Sequence, residues 1–188
     1  MQIQVAQRTF IVPRKIIGSI ELPNRQYDRS WRCENGELKA SSIQIVVFRN
    51  TGNEFYDEWV QNRKLPNVIR IERRGHIKNH SDQFLLWAQN AGRPTVRDEV
   101  GYDVTKSASE TLYDVSPLGL FGFDGHKIVF QCSTYEFEQS HGHTCRTSYP
   151  YDEEIDIVYS FQDGYVPKDD WLNLDTRVRK LLRDLGHE

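Results

Sequence analysis

Lys127-Ile-Val-Phe-Gln-Cys132, twelve intervening residues, Cys145-Arg-Thr-Ser-Tyr149 and Ile155-Asp-Ile-Val-Tyr-Ser-Phe161 together decide how this chain is read. All three segments are rich in β-branched and aromatic residues, and turn-forming polar stretches separate them. They therefore predict three successive strands. The two cysteine strands are read as a hairpin. A different periodicity follows. Trp171, Leu174, Val178, Leu181, Leu182 and Leu185 recur at helical spacing and make one apolar stripe. Asp169 and Asp170 precede that stripe, where a carboxylate meets the positive end of a helix and can cap it. Arg179, Lys180 and Arg183 complement the other end, and Gly186 supplies a stop. The stripe is expected to pack on the sheet.

Working outward, Arg8-Thr-Phe-Ile-Val12 reads as a short strand ended by Pro13, and Ile43-Gln-Ile-Val-Val-Phe48 as a core strand. The 51–60 segment fits a short helix with Phe55 and Trp59 inward, stopped at Leu65-Pro66. Asn67-Val-Ile-Arg-Ile-Glu-Arg73 is the next strand, with Val68 on its inward alternation. Gln83-Phe-Leu-Leu-Trp-Ala88 is too short for periodicity to choose between strand and helix. Val100-Gly-Tyr-Asp-Val104 and Thr111-Leu-Tyr-Asp-Val115 pair across a polar turn. The predicted fold class is α+β, mainly an antiparallel sheet with a C-terminal amphipathic helix packed on it.

The chain has 188 residues, 38% hydrophobic and 12% aromatic, which suits one domain over 1–188 with a real core. A division into subdomains would fall near 117–125, where Gly119-Leu-Phe-Gly-Phe-Asp-Gly125 is turn-rich. The net charge of -3 gives no bulk attraction to nucleic acid or anionic lipid, so neither is an expected partner. No run approaches the ~20 apolar residues of a membrane span.

Three cysteines leave two readings open. Cys132 and Cys145, on neighbouring strands, can lie close enough for a cross-strand disulfide, with Cys33 unpaired. That pairing belongs to an oxidising compartment. The other reading is three reduced, partly buried thiols in a cytosolic binding or structural protein. His141-Gly-His143-Thr-Cys145 also offers imidazole and thiolate to a metal. No second Cys/His pair accompanies it, and an oxidised Cys145 cannot ligate. Neither a metal nor a cofactor is expected.

No hydrolase, nucleotide-binding or dinucleotide-binding motif occurs, so no catalytic residue is assigned and the chain is not read as an enzyme. Charge is distributed unevenly. Arg63, Lys64, Arg70, Arg73, Arg74 and Lys78 stand against Glu72, a net of +5. Asp152, Glu153, Glu154, Asp156, Asp163, Asp169 and Asp170 stand against Lys168, a net of -6. Either the two stretches pair with each other or one faces a partner.

Phe10-Ile-Val-Pro-Arg-Lys-Ile-Ile17 places Pro13 between a hydrophobic strand and an aliphatic pair. Later come the strand ending in Cys132, a polar loop, Cys145, Ile157-Val-Tyr-Ser-Phe161, Trp171 and the Leu-rich helix. Over roughly the first 20 and last 60 residues this order resembles small exported Gram-negative proteins, among them periplasmic immunity proteins against type VI secretion effectors. The resemblance implies a periplasmic inhibitor that binds a cognate secreted effector toxin without a cofactor. Met1-Gln-Ile-Gln-Val-Ala-Gln-Arg8 lacks the basic start and apolar run of a signal peptide, so a signal segment is expected outside this chain. The expected contact segments are the 133–144 loop, with Glu136, Glu138, His141 and His143, and the acidic run Asp152, Glu153, Glu154 and Asp156. Acidic groups aimed at a basic active-site rim raise association rates and fix orientation.

Overall fold

The structure is a computed structural model that describes residues 1–23, 37–46, 66, 68–107, 109–137, 140–163 and 166–186, the side chains of 15, 37, 134–137 and 140–142 excepted. The helix expected over 51–60 and Cys33 lie outside the described residues.

Twelve strands and two α-helices are described. They are β1 (Gln2–Val5), β2 (Arg8–Ile11), β3 (Ile17–Glu21), β4 (Glu37–Ala40), β5 (Ser42–Val46) and β6 (Val68–Arg73), then α1 (Ser81–Asn90). There follow β7 (Thr95–Arg97), β8 (Asp103–Lys106), β9 (Thr111–Asp114), β10 (Val129–Phe137), β11 (Ser140–Pro150), β12 (Ile155–Gln162) and α2 (Trp171–Leu185). Nine strands form one sheet in the order β3-β5-β6-β12-β11-β10-β9-β8-β7, and every neighbouring pair in it is antiparallel. A small second sheet, β2-β1-β4, joins β1 to β4 in parallel. The protein is therefore α+β with a largely antiparallel sheet, as the strand pattern predicts.

Side-chain alternation divides the large sheet into two faces. One carries Ile43, Ile45, Ile69, Ile71, Ile157, Tyr159, Phe161, Tyr149, Cys145 and Phe130. These are buried in a core shared with Ile3, Val5 and Phe10 of the small sheet and with the apolar stripe of α2. All six stripe residues, from Trp171 to Leu185, are buried, and each such side chain stabilises the fold by about 2 kcal/mol. The opposite face is packed by α1, through Leu85 and Ala88 against Leu112 and Val129. The ambiguous 83–88 run is thus helical.

Trp171 fixes where α2 begins. Its ring meets Tyr113, Phe130 and Phe161 edge-on at 5.1, 5.2 and 5.5 Å and stacks on Tyr102. Its indole N–H donates to the Val166 carbonyl. Deeper along the helix sits a buried polar network. Asp175, fully buried, accepts hydrogen bonds from the Tyr149 and Tyr159 hydroxyls and from Arg179 Nε, the last at 2.6 Å. Burial, reinforced by the Asp175 charge, pushes both phenols well above the ordinary tyrosine range.

Several expectations need correction. Asp170 occupies the N-cap of α2, but its carboxylate accepts from Asn173 and Arg177 side chains rather than capping the backbone. Val68 is only half-buried; Ile69 and Ile71 point inward, because they face Tyr159 and Ile157 on β12. Val100 and Gly101 form a turn, not a strand. Asp98 accepts the backbone N–H groups of Val100, Gly101 and Tyr102, and Gly101 has φ 100°, a conformation suited to glycine. Burial pushes the Asp98 carboxyl up, but Lys168 and those N–H groups together hold it below its usual range. The 133–144 segment is not a loop. The two strands run on through it to Phe137 and from Ser140.

Candidate functional site

β10 and β11 extend farther than their neighbours, and that difference in length creates a distinct surface. Val129-Phe-Gln-Cys-Ser-Thr-Tyr-Glu-Phe137 is rich in residues that suit a pleated backbone. β9 accompanies β10 only as far as Cys132, opposite Thr111. β12 accompanies β11 only from Thr144, opposite Gln162. Beyond that level, Thr134↔His143, Tyr135↔Gly142, Glu136↔His141 and Phe137↔Ser140 pair with each other and with no third strand among the described residues. At about 3.4 Å per residue, the ribbon reaches about 17 Å past Cys132.

The disulfide lies where sheet support ends. Cys132 and Cys145 face each other in the ladder, with Cα atoms 4.1 Å apart, and are bonded. Both are buried, with Cys145 opposite Phe161 in the core. An isolated two-stranded hairpin is marginal in water, so a covalent link at its root matters more here than in the body of the sheet. Asp163, just past β12, braces the same level. It accepts the His143 backbone N–H at 3.0 Å and lies 2.7 Å from His143 Nδ1, and its own N–H donates to the His143 carbonyl at 3.1 Å.

The expected contact residues separate into two groups. Glu136 and His141 stand opposite each other on the ribbon, His143 stands at its root, and Glu138 lies outside the described residues. The acidic run lies at the other end of the same strands, where Pro150 faces Asp156. Six residues of β12 separate it from Gln162, a distance of about 20 Å. The two segments thus do not form one continuous surface.

Nor is the acidic run free. Asp152 pairs with Arg8 at 3.0 Å and accepts the N–H groups of Glu154 and Ile155, as an aspartate does in a tight turn. Glu154 accepts the Gln7 N–H. Asp156 has 0% exposure, lies 3.1 Å from His80 Nε2 and accepts the Gly75 N–H. Of the four, Glu153 alone is exposed. The expectation that this run presents four exposed carboxylates is therefore corrected. Arg74 of the basic stretch reaches the run through main-chain oxygens: its guanidinium donates to the Asp152 carbonyl and its backbone N–H to the Glu154 carbonyl, both at 2.7 Å.

Of the His-Cys segment, Cys145 is bonded to Cys132 and has no free thiolate to offer a metal. Among the described residues no group of three His, Cys, Asp or Glu side chains is arranged to hold a metal, and no helix is long and apolar enough to cross a membrane. The pairings of Asp163 with His143 and of Asp156 with His80 escaped the sequence reading. Each is a contact between distant segments that leaves no local spacing signal. Comparison with protein-family models, with curated proteins and with solved structures finds no match to this chain.

Proposed function

We propose that this chain is a binding protein of an oxidising compartment, the periplasm, and that it inhibits a secreted antibacterial effector by presenting the β10–β11 ribbon to it. The observation that carries the reading is the position of the disulfide. It staples the last rung with neighbours on both sides, and beyond it the ribbon strands pair only with each other among the described residues. A preorganised ribbon loses little conformational freedom on binding, which favours affinity. It also carries open backbone edges able to pair with a partner strand. The partner's identity as an effector toxin rests on the resemblance of the N-terminal and C-terminal segments to immunity proteins. The acidic run contributes little to this surface, because three of its four carboxylates are engaged within the chain.

The test is protection. A sensitive recipient producing the chain in its periplasm is challenged by a type VI-armed attacker from the chain's own source. Survival should rise with the intact chain. It should fall back when 134–143 is replaced by a two-residue Asn-Gly turn that leaves the disulfide in place. Unchanged survival with the intact chain would sink the immunity reading. Equal protection by the shortened chain would sink the ribbon alone. Alkylation of the native protein tests the compartment independently: one reactive thiol is expected, and three would favour a cytosolic binding protein with reduced cysteines.

A further inference from the structure

The face of the large sheet opposite α2 carries an open cavity of about 400 Å³ between β6, β12 and β11. Its floor is β12. Arg70 on β6 stands opposite Val158, and Arg146 on β11 stands opposite Ser160, so the two arginines flank β12 from either side. Both line the same cavity, together with Glu72, His76 and the apolar Ile77 and Val158.

The charges there are unevenly matched. Arg70 is paired with Glu72 at 3.1 Å, and Glu72 is almost wholly buried. His76 lies 3.5 Å from Glu21. Arg146 has no carboxylate partner and no side-chain hydrogen bond among the described residues, and neither does the Ser160 hydroxyl. Within the lining, two guanidinium groups face one carboxylate, and Arg146 is the one of the two with no ionic partner among the described residues, beside an apolar wall. A guanidinium fork matches the two oxygens of a carboxylate. A phosphate dianion would bring a second negative charge close to Glu72. The volume suits a small organic molecule.

We propose that this cavity binds a small monocarboxylate with an apolar body, its carboxylate on Arg146 with Ser160 donating beside it, and its apolar part against Val158 and Ile77. Arg146 is the specificity-determining residue; Arg70, held by Glu72, shapes the cavity and adds a weaker attraction. This site lies on the sheet face opposite α2, with Arg146 one rung below the Cys132–Cys145 rung at which the ribbon begins.

The experiment is a titration of the full chain, labelled at arginine Nε and valine methyls, with benzoate, benzamide and inorganic phosphate. Benzoate should shift the Arg146 Nε–H and Val158 methyl signals saturably. Benzamide and phosphate should bind at least ~10-fold more weakly, the size expected for loss of one charge-assisted contact. Arg146→Gln should abolish the saturable Val158 shift, and Arg146→Lys should weaken it, since lysine keeps the charge but not the fork. Arg146 is exposed and should be replaceable without unfolding, which the dispersion of the remaining signals checks; the wild-type Arg146 shift decides the matter even if a variant fails to fold. No saturable shift with benzoate would overturn the proposal. So would phosphate binding as tightly as benzoate, or a Val158 response unchanged in folded Arg146→Gln.

Discussion

The body under α2 and the β10–β11 ribbon are parts of the same two strands held by different forces. Below the Cys132–Cys145 rung, each strand has a neighbour on either side and a core of aromatic and branched side chains on one face. There burial does most of the work, and it tolerates even a charged group, Asp175, because three donors surround it. Above the rung, the strands pair only with each other among the described residues, and the structure supplies a covalent link and the Asp163 brace instead. The difference teaches where a stabilising device has most leverage. A cross-link deep in a packed sheet duplicates what burial already does, whereas one at the edge of support decides whether the extension is ordered.

Removal of the charge in the body gives the largest expected effect. Asp175→Ala leaves the Tyr149 and Tyr159 hydroxyls and Arg179 without their common acceptor. Breaking a buried charged network by deleting one partner costs about 3–5 kcal/mol, readable by urea unfolding. A cost below about 1 kcal/mol would mean that Arg179 and the phenols find other partners, and the contrast with the ribbon would weaken. The same network sets the alkaline limit of stability. Both phenols are raised in the folded state, so their contribution is intact below the ordinary tyrosine range and is lost as pH rises above it. Spectroscopic titration should show these two of the nine tyrosines ionising only with unfolding.

Loss of the disulfide comes next. With the two cysteines 13 residues apart, the cross-link lowers the entropy of the unfolded chain by an amount worth about 3 kcal/mol. A Cys132→Ala, Cys145→Ala double variant should be destabilised by about that amount or somewhat less. The sharper expectation is spatial. Amide protection should drop across 133–144 while β6, β12 and α2 keep theirs. Uniform loss would show that the ribbon and the body unfold as one unit, and the comparison drawn above would fail.

The smallest effect has the opposite sign. Thr147 is fully buried on the α2 face, and its hydroxyl finds no partner among the described residues. Thr147→Val removes an unsatisfied polar group at nearly constant shape and should stabilise by about 1 kcal/mol. A loss of similar size would show instead that the hydroxyl is bonded and that the body relies on polar contacts more than its apolar core suggests.

How legible each region was follows from the range of its interactions. The α2 stripe was readable because all six buried residues repeat along one short segment. β11 and β12 were readable from branched and aromatic content. The phase of β6 was not: Val68, Ile69 and Ile71 are all apolar, so local alternation leaves both faces plausible until Tyr159 and Ile157 select Ile69 and Ile71. The ribbon was concealed by its own composition. Glu, Ser, His and Gly between two cysteines resemble a loop, yet backbone pairing asks little of side chains once the adjoining rungs fix the register. The acidic run looked exposed because four carboxylates in five residues ordinarily are. Asp156 is buried because His80 and the Gly75 N–H reach it from distant parts of the chain.

The class of fold, the closing helix and the placement of both cysteines on neighbouring strands follow from local residue patterns, since each depends on residue types repeating over a few positions. Tertiary structure alone decided which rung the disulfide occupies, how far the ribbon outruns its neighbours, which carboxylates are consumed internally and that Arg146 faces an open cavity. Those outcomes depend on which strands become neighbours and where each one stops. A ladder is completed by hydrogen bonds between residues far apart in the chain, and local periodicity carries no record of its partner's length.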